Sequence, residues 1–466
     1  MALRLFNTLT RSTQDFVPLD PAGRRLGLYC CGPTVHDFAH IGNFRTFVFA
    51  DLVRRYLEFK GYEVQHVMNV TDVEDKIIHR VAQAGGTLKE YTAKYEAAFF
   101  EDLDALGCLR PRQIPHATEH IAAIIALIEA LADHGITYRA GDGSVYFSIE
   151  KYRAGGGRYG QLLNLNFEQM RTSQRVASDE YAKDAAADFA LWKARTPEDG
   201  AVFWASPWGE GRPGWHIECS AMSMEALGPA FDVHLGGEDL IFPHHENEIA
   251  QSQGAGRPFV KYWLHGAHLL VEGKKMSKSL GNYFTLRDLL GKGFTGREMR
   301  CLLLTAHYRE PFNFTFEGLR GARAALARLD ECLDKLRTTA AGATAAPDDN
   351  FVGQFTAAMD EDLNVSAAWG AIFEWVRENN RLLAAGQLSA LQAAAALAAW
   401  DKIDAVLGLK QAGPSAAPAP LLALLEERQA ARKAKDFKRA DAIRDELKSK
   451  GWTIEDTPKG ARLKPL

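Results

Sequence analysis

Two hydrophobic rhythms alternate along the front of this chain. Short apolar runs rich in strand-forming residues each lead into stretches where apolar residues recur every three to four positions, which is how strands feeding helices read. The first unit runs from Leu26 to Tyr62. The pattern predicts a buried strand over Leu26–Cys31, a glycine-proline loop, and a helix from near Gly42 that ends at Lys60-Gly61. Phe44, Phe47, Val48 and Leu52 give that helix its apolar face. A second strand, Glu63–Val70, runs into the polar segment Thr71-Asp72-Val73-Glu74-Asp75-Lys76. Thr71 and Glu74 have capping-box spacing, so a helix cap is the bland reading of this segment. Polar residues past a strand's carboxyl end are also where open parallel sheets bind ligands. Helices follow around Ala97–Leu103 and over Thr118–Ala132.

From Gly135 to Thr196 the rhythm weakens, and Gly155-Gly156-Gly157 and the polar run Ser178–Asp188 read as an insertion. The pattern resumes with a strand at Phe231–Leu235, a glycine-rich turn over Gly236–Asp239, and a helix start at Phe242–Glu248. Beyond Tyr283 it is helical: Leu286–Leu290, Arg300–His307, Phe316–Leu336 and Phe351–Leu407, interrupted by an alanine-rich linker at Thr338–Asn350. A Pro/Ala-rich linker, Gly413–Pro420, sets off a charged helical hairpin that closes with strand-like Trp452–Asp456 and Ala461–Lys464. The expected fold class is α/β, a Rossmann-like doubly wound parallel sheet. Its two halves are 1–134 and 197–265, with a connective insertion at 135–196. A loop-bearing region at 266–320, an α-helical bundle at 321–412 and a small mixed C-terminal domain at 413–466 follow.

Composition narrows the class. A chain of 466 residues is too long for one core, and 47% apolar content with a net charge of -4 describes a soluble globular protein. That charge does not advertise a nucleic-acid binder, although local basic faces matter more than the total. Six cysteines in this length are no disulfide framework, so a reducing, cytoplasmic setting is expected. Arg4, Asn7 and Arg11 stand where a signal peptide needs an apolar run, and the longest apolar stretch holds Glu129, so no membrane span is expected.

Three places carry candidate chemistry. The strand–loop–helix start around Cys31–Asn43 has the form of an anion site, where unpaired N–H groups and the helix dipole face a ligand. His40 and Asn43 flank its first turn and add side-chain donors, while Cys30 and Cys31 bring soft metal-ligand chemistry to the strand end. Cys30 alternates with Leu26 and Leu28 and reads as a core thiol. An ordinary αβ unit with a loop histidine and buried thiols would look the same. His244 and Glu248, four apart, can share a metal from one helix face, with His245 and Glu246 expected to point elsewhere; a surface ion pair has the same spacing. Trp192, Trp208 and Trp215 lie among glycines and prolines, the first two as core anchors. Gly273–Asn282 interleaves lysines with serines, as a loop closing over a polyphosphate would, or as a solvated basic loop would.

Taken together these segments resemble a known family. His40-Ile41-Gly42-Asn43 is similar to the HIGH signature, and Lys275-Met276-Ser277-Lys278-Ser279 is a complete KMSKS signature, of class I aminoacyl-tRNA synthetases. The fragments around Cys31-Gly32, Arg212–Met222 and Phe242–Gln251 resemble cysteinyl-tRNA synthetases in particular, and the likeness runs nearly end to end. The resemblance implies ATP-dependent activation of L-cysteine and its transfer to tRNA(Cys), by a cytoplasmic monomer. It implies one Zn2+ on Cys31, Cys219, His244 and Glu248, which would read the substrate thiolate and make an editing domain unnecessary. Mg2+ would accompany ATP. His40, Asn43, Lys275 and Lys278 would be catalytic; Gly42, Gly237, Asp239 and Lys278 would contact ATP; and Gly32, Thr71 and Trp215 would contact cysteine. Region 266–320 would touch the tRNA stem, and Arg432, Asp441 and Asp456 the anticodon. Asn43 departs from the signature's second histidine; it keeps a donor but carries no charge. The rival readings are a cysteine ligase with an amino-sugar acceptor, against which the C-terminal segment argues, and a zinc hydrolase, which leaves the KMSKS loop without a purpose. A catalytically silent tRNA-binding protein would not need the intact lysine loop and four ligands.

Overall fold

The computed structural model describes residues 2–163, 188–410, 419–434, 436–449, 452–457 and 460–465. Two compact units emerge, Met1–Gly408 and Leu409–Leu466. The polar run expected at Ser178–Asp188 (apart from Asp188) and residues 413–418 of the second linker lie outside the described residues.

The first unit opens with an antiparallel hairpin, β1 (Arg4–Asn7) and β2 (Ser12–Asp15). There follow β3 (Arg25–Cys30), α1 (Ile41–Phe59), β4 (Glu63–Met68), α2 (Asp75–Ala84), α3 (Leu88–Ala105) and α4 (Ile121–Asp133). Next come β5 (Thr137–Arg139), β6 (Val145–Phe147), α5 (Ile149–Ala154), β7 (Phe189–Ala194) and β8 (Gly211–Pro213). Then α6 (Trp215–Leu227), β9 (Ala230–Gly237), α7 (Glu246–Gly254) and β10 (Phe259–Gly266) complete the α/β part.

Strands β10-β9-β3-β4 form one all-parallel sheet in that order. From β3 the chain winds outward to β4, and from β9 it winds the other way to β10. The boundary between β3 and β9 is therefore the topological switch point, where the loops leaving the two strand ends diverge and open a crevice. The register there is tight: Leu28 lies opposite Val233 and Cys30 opposite Leu235, and the Cys31 N–H donates to the Leu235 carbonyl at 3.2 Å. Leu28, Tyr29, Cys30, Val233, His234 and Leu235 are fully buried, as strands covered on both faces must be. Tyr29, Cys31 and Val67 share a core with Ile124 and Ile128 of α4 and Ile217 of α6.

The weakened pattern after Gly135 is a second sheet, antiparallel, ordered β5-β6-β7-β8. It runs past Thr196 to Pro213, because Trp192 of β7 pairs with Pro213 of β8. Its shortest strands have three residues, too few to display a period. Trp192 is fully buried and Trp208 packs beside it, ring centroids 6.2 Å apart. Of the two readings of Thr71–Glu74, the capping box does not form. Thr71 is held extended between the Pro33 carbonyl and the Val35 N–H, so α2 starts later, capped by Glu74 accepting from the Lys76 N–H at 2.9 Å.

Beyond β10 lie β11 (Leu269–Val271), β12 (Lys274–Lys275), α8 (Leu286–Gly291), α9 (Gly296–Leu303) and β13 (Phe312–Phe314). The helical region is α10 (Phe316–Ala340), α11 (Asp349–Asp360), α12 (Val365–Ala384) and α13 (Ala390–Leu407). The single helical pattern over Phe351–Leu407 is thus three helices, broken first at Asp362 and Leu363, both in the left-handed region (φ 57° and 55°). Arg300 of α9, fully buried, ties this region to α1: it donates to Asp51 at 2.5 Å and to the Leu407 carbonyl at 2.6 Å. Asp51 also accepts from Arg55 and from the Leu109 N–H.

The second unit pairs α14 (Ala419–Lys433) with α15 (Phe437–Ser449), over an antiparallel β14 (Trp452–Thr457) and β15 (Gly460–Pro465). Leu421, Leu425, Ile443, Leu447 and Leu463 form its core. Among the described residues no helix is long and apolar enough to cross a membrane.

The Asp51–Arg300 pair gives a stability prediction. Removing one member of a buried pair strands the other charge, so Asp51→Ala is expected to cost about 3–5 kcal/mol. Chemical denaturation checks this, and a loss below about 1 kcal/mol, the worth of an exposed pair, would contradict it.

Candidate metal centre and nucleotide cleft

Four donors meet beneath the switch point. Cys31 stands one residue past β3, Cys219 one turn into α6, His244 in the turn before α7, and Glu248 in the first turn of α7. Their ligand atoms all lie within 4.8 Å of one another, and all four residues are buried. The separations are 4.0 Å between the two sulfurs, 3.7 Å from Cys31 Sγ to Glu248 Oε1, and 3.2 Å from His244 Nε2 to that same oxygen. A tetrahedral zinc with bonds of about 2.0–2.3 Å sets its donors about 3.3–3.8 Å apart, so the cluster fits such an ion with small adjustments.

Histidines surround the cluster, and the sequence pattern had assigned none of them to it. His234 Nε2 lies 2.9 Å from Glu248 Oε2, and His216 Nδ1 lies 2.8 Å from His244 Nδ1. These contacts orient the carboxylate and the imidazole through the atoms that face away from the sulfurs. His245, expected to point elsewhere, points inward: its Nε2 is 3.4 Å from Cys31 Sγ and its Nδ1 2.7 Å from His265. The reason is local. The segment before Glu246 is an irregular turn with Phe242 at φ -139°, ψ 131°, so helical spacing does not describe which way His244 and His245 face. Cys31, His234, His245 and Glu248 thereby form a second, overlapping donor set with one sulfur.

Burial governs the protonation of these groups. It pushes Glu248 and Cys31 well above their ordinary values, the Cys219 sulfur adding to the effect at Cys31. It lowers His244 and His245, and takes His234 and His265 down to about 3. Cys219 is the exception. Hydrogen bonding with Cys31, helped by His244 against burial, lowers it to about 7. The set is thus close to neutral with one readily formed thiolate, which a divalent cation would extend by displacing the remaining protons.

A cleft of about 420 Å³ opens from this cluster. Of the residues expected in the site, Cys31, Gly32, His40, Asn43, Trp215, Gly237, Asp239 and Lys278 line it. His40 caps α1: its Nδ1 accepts from the Asn43 N–H at 3.1 Å, while Asn43 Oδ1 accepts from the His40 N–H at 3.1 Å. An accepting Nδ1 puts the proton of neutral His40 on Nε2, and burial lowers the histidine's affinity for a second proton. Asn43 therefore holds its place as a reciprocal cap, with its amide nitrogen available as a donor. Gly32 is required by packing, since a Cβ there would sit 1.7 Å from the Asn69 carbonyl oxygen.

The two loop signatures meet across the cleft. The Ile41 N–H donates to the Phe284 carbonyl at 2.9 Å, and the His40 and Tyr283 rings meet edge to face at 5.4 Å. Met276 reaches to 3.1 Å from where a Cβ on Gly42 would stand. Lys275 lies exposed on β12 and does not line the cleft; Thr71 is buried behind it, 3.2 Å from the Asn69 amide. Glu248 and Cys219 lie deeper than the lining. In the C-terminal unit Arg432 and Asp441 are exposed on α14 and α15, Asp441 pairing with Arg444 at 3.3 Å, and Asp456 is on β14.

The family follows from comparison with known proteins. Residues 18–324 match the model for the class I (C) tRNA synthetase catalytic domain, 354–411 the DALR domain, and 415–462 the cysteinyl-tRNA ligase anticodon-binding domain. The cysteine–tRNA ligase of Chlamydia muridarum is 48% identical over 488 residues, covering 100% of both chains. That of Protochlamydia amoebophila is 45% identical over 472 residues, covering 99% of this chain and 98% of its own. This chain belongs to the cysteinyl-tRNA synthetases. The cysteinyl-tRNA synthetase fold also matches more distant solved structures. A methionyl-tRNA synthetase of Mycobacterium tuberculosis, in complex with methionyl-adenylate, has a TM-score of 0.59 at 14% identity, covering 83% of this chain and 90% of that one. A leucyl-tRNA synthetase ternary complex from Agrobacterium radiobacter has a TM-score of 0.57 at 12% identity, covering 84% and 85%.

The protonation pattern makes a prediction for this synthetase. Zinc uptake by metal-free protein is expected to weaken as pH falls through about 7, where Cys219 takes up its proton, by about tenfold per unit for each proton displaced. Competition with a chromophoric chelator measures it, and an affinity unchanged between about pH 6 and about pH 8 would contradict the assignment.

Proposed function

We propose that the cluster and the cleft form one site that adenylates L-cysteine with ATP and passes the cysteinyl group to tRNA(Cys). The observation that carries this reading is that Cys31 belongs to both: it is a donor of the cluster and a wall of the cleft. An amino acid whose side chain reaches the cluster would then present its carboxylate toward His40, Gly237 and Lys278.

Cys31, Cys219, His244 and Glu248 are the proposed holders of one zinc ion, preferred over the overlapping set because they offer two sulfurs. When bound, the metal supplies a soft Lewis acid that accepts a thiolate far better than a serine hydroxyl, a distinction that shape alone makes poorly. The pocket then needs no editing site. Gly32 and Trp215 on the cleft wall are assigned to the cysteine, with Thr71 behind them acting through Asn69, which it and Gly32 both contact; the Trp215 ring sits 4.5 Å from that of His244 and forms the wall beside it.

The substrate carboxylate attacks the α-phosphorus of ATP, the bond to the bridging oxygen breaks, and pyrophosphate leaves with its Mg2+. Charge accumulates on the phosphates, so fixed donors matter most. His40 Nε2–H and the α1 N-terminus at Gly42, with Asn43, serve one side. Lys278 serves the other from the cleft wall, Lys275 would join it only as the loop closes, and Gly237 and Asp239 hold the ribose. In the second step the ribose hydroxyl of the terminal adenosine attacks the activated carbonyl and AMP departs. Arg432, Asp441 and Asp456 are the proposed anticodon readers. All six cysteines are free and buried, which fits a reducing cytoplasm, and the working form is proposed to be a monomer. The ligase that uses an amino-sugar acceptor would have no use for the anticodon-type unit matched at 415–462.

Cysteine-dependent ATP–pyrophosphate exchange with serine as competitor, together with charging of purified tRNA, tests this. Exchange with cysteine alone, and charging, are expected. Lys278→Ala is expected to lower kcat by about 10²–10³, and Cys219→Ser to abolish the cysteine-dependent exchange. Exchange without charging would point to the small-molecule acceptor, and no exchange from zinc-loaded protein would refute the enzyme reading.

A further inference from the structure

One carboxylate in the cleft has no part in the chemistry above. Asp37, in the loop before His40, lines the cleft together with Arg80 of α2 and Lys278. Its Oδ2 takes both cations at once, Lys278 Nζ at 2.9 Å and Arg80 Nη1 at 3.1 Å. Two cations from different elements converging on one oxygen make a seat for an anion, and the side chain now in that seat belongs to the protein.

The two cations are held very differently. Arg80 also donates to the His36 carbonyl at 3.0 Å, so its guanidinium has a fixed direction. Its helix is pinned at the N-terminal end, where Asp75 takes Lys193 at 2.7 Å and Arg212, and Arg212 in turn pairs with Asp199 at 2.7 Å. Lys278, by contrast, is 63% exposed on the loop and rests over the Tyr283 ring at 5.0 Å. A polyphosphate entering between them meets one fixed cation and one movable one.

We propose that Asp37 is a placeholder anion that holds the polyphosphate seat until a nucleotide displaces it, and that Arg80 is a second polyphosphate-binding residue. The proposal rests on the reading of this cleft as the nucleotide site. Incoming ATP displaces the carboxylate from Lys278 and Arg80, and after reaction the carboxylate competes with pyrophosphate for the same cations. Asp37 is thus a positioning residue: it parks Lys278 at the mouth of the cleft and hastens product release, at the expense of ATP affinity.

Calorimetric titration of the full chain with Mg2+–pyrophosphate and with a non-hydrolysable Mg2+–ATP analogue tests this. Asp37→Asn keeps the shape and removes the charge. It is expected to tighten both probes by about two- to fivefold, the range a partly exposed ion pair supports, and to lower the KM for ATP while leaving that for cysteine unchanged. Arg80→Ala is expected to weaken both probes by about tenfold or more, with Arg80→Lys recovering part of the loss. If the wild type binds both probes but Asp37→Asn binds them equally or more weakly, the placeholder is overturned and the nucleotide reading stands. If Arg80→Ala binds as the wild type does, the assignment of Arg80 is overturned. Failure of the wild type to bind either probe overturns the nucleotide reading and this proposal with it.

Discussion

The parallel pairing of β3 with β9 is the constraint on which the rest of the structure depends. Because the chain winds away from this seam in both directions, the loops after the two strands must part there, and the gap between them becomes the site. The same seam places Cys31 within reach of segments far away in sequence. Gly236 and Gly237 end β9 on the cleft side, while α6 and α7 bring Cys219 and Glu248 from the sides. Slipping the register by one residue would turn Cys30 toward the cluster and Cys31 away from it.

Burial then gives the cluster its chemistry. Carboxylate, thiols and imidazoles are held without water, so each is driven toward its neutral form, and only Cys219 is eased toward a thiolate. The outer histidines, His216 and His234, engage the far sides of His244 and Glu248 and leave the near sides turned inward. At the cleft the opposite logic holds: the charged groups Asp37, Arg80 and Lys278 remain in contact with solvent, where an anion can exchange with them.

Much of this was legible in the sequence, for identifiable reasons. The strand–loop–helix of residues 26–60 has a strong period and clear stop signals, and Cys31, His244 and Glu248 stand at a strand end and a helix start, whereas Cys219 joined them only through the family resemblance. What escaped was set by contacts between distant residues or by irregular backbone. His245 was turned inward by a non-helical turn at Phe242, where spacing gives no direction. Thr71 lost its capping role to a bridge with the loop after β3, and Asp37 met Lys278 across 241 residues of chain. Three of the four strands after Gly135 have only three residues, too few to show alternation, and the longer β7 finds one partner, β6, far back along the chain, where Val145 pairs with Trp192.

The central claim is that cluster and cleft are one site, so that a substrate thiol joins the protein's donors. Cobalt substituted for zinc reports this directly, since thiolate-to-cobalt charge transfer strengthens with each sulfur bound. L-cysteine is expected to raise that absorption in the full-length protein, and L-serine to leave it unchanged. A spectrum indifferent to cysteine, from protein that takes up one equivalent of cobalt, would contradict the account.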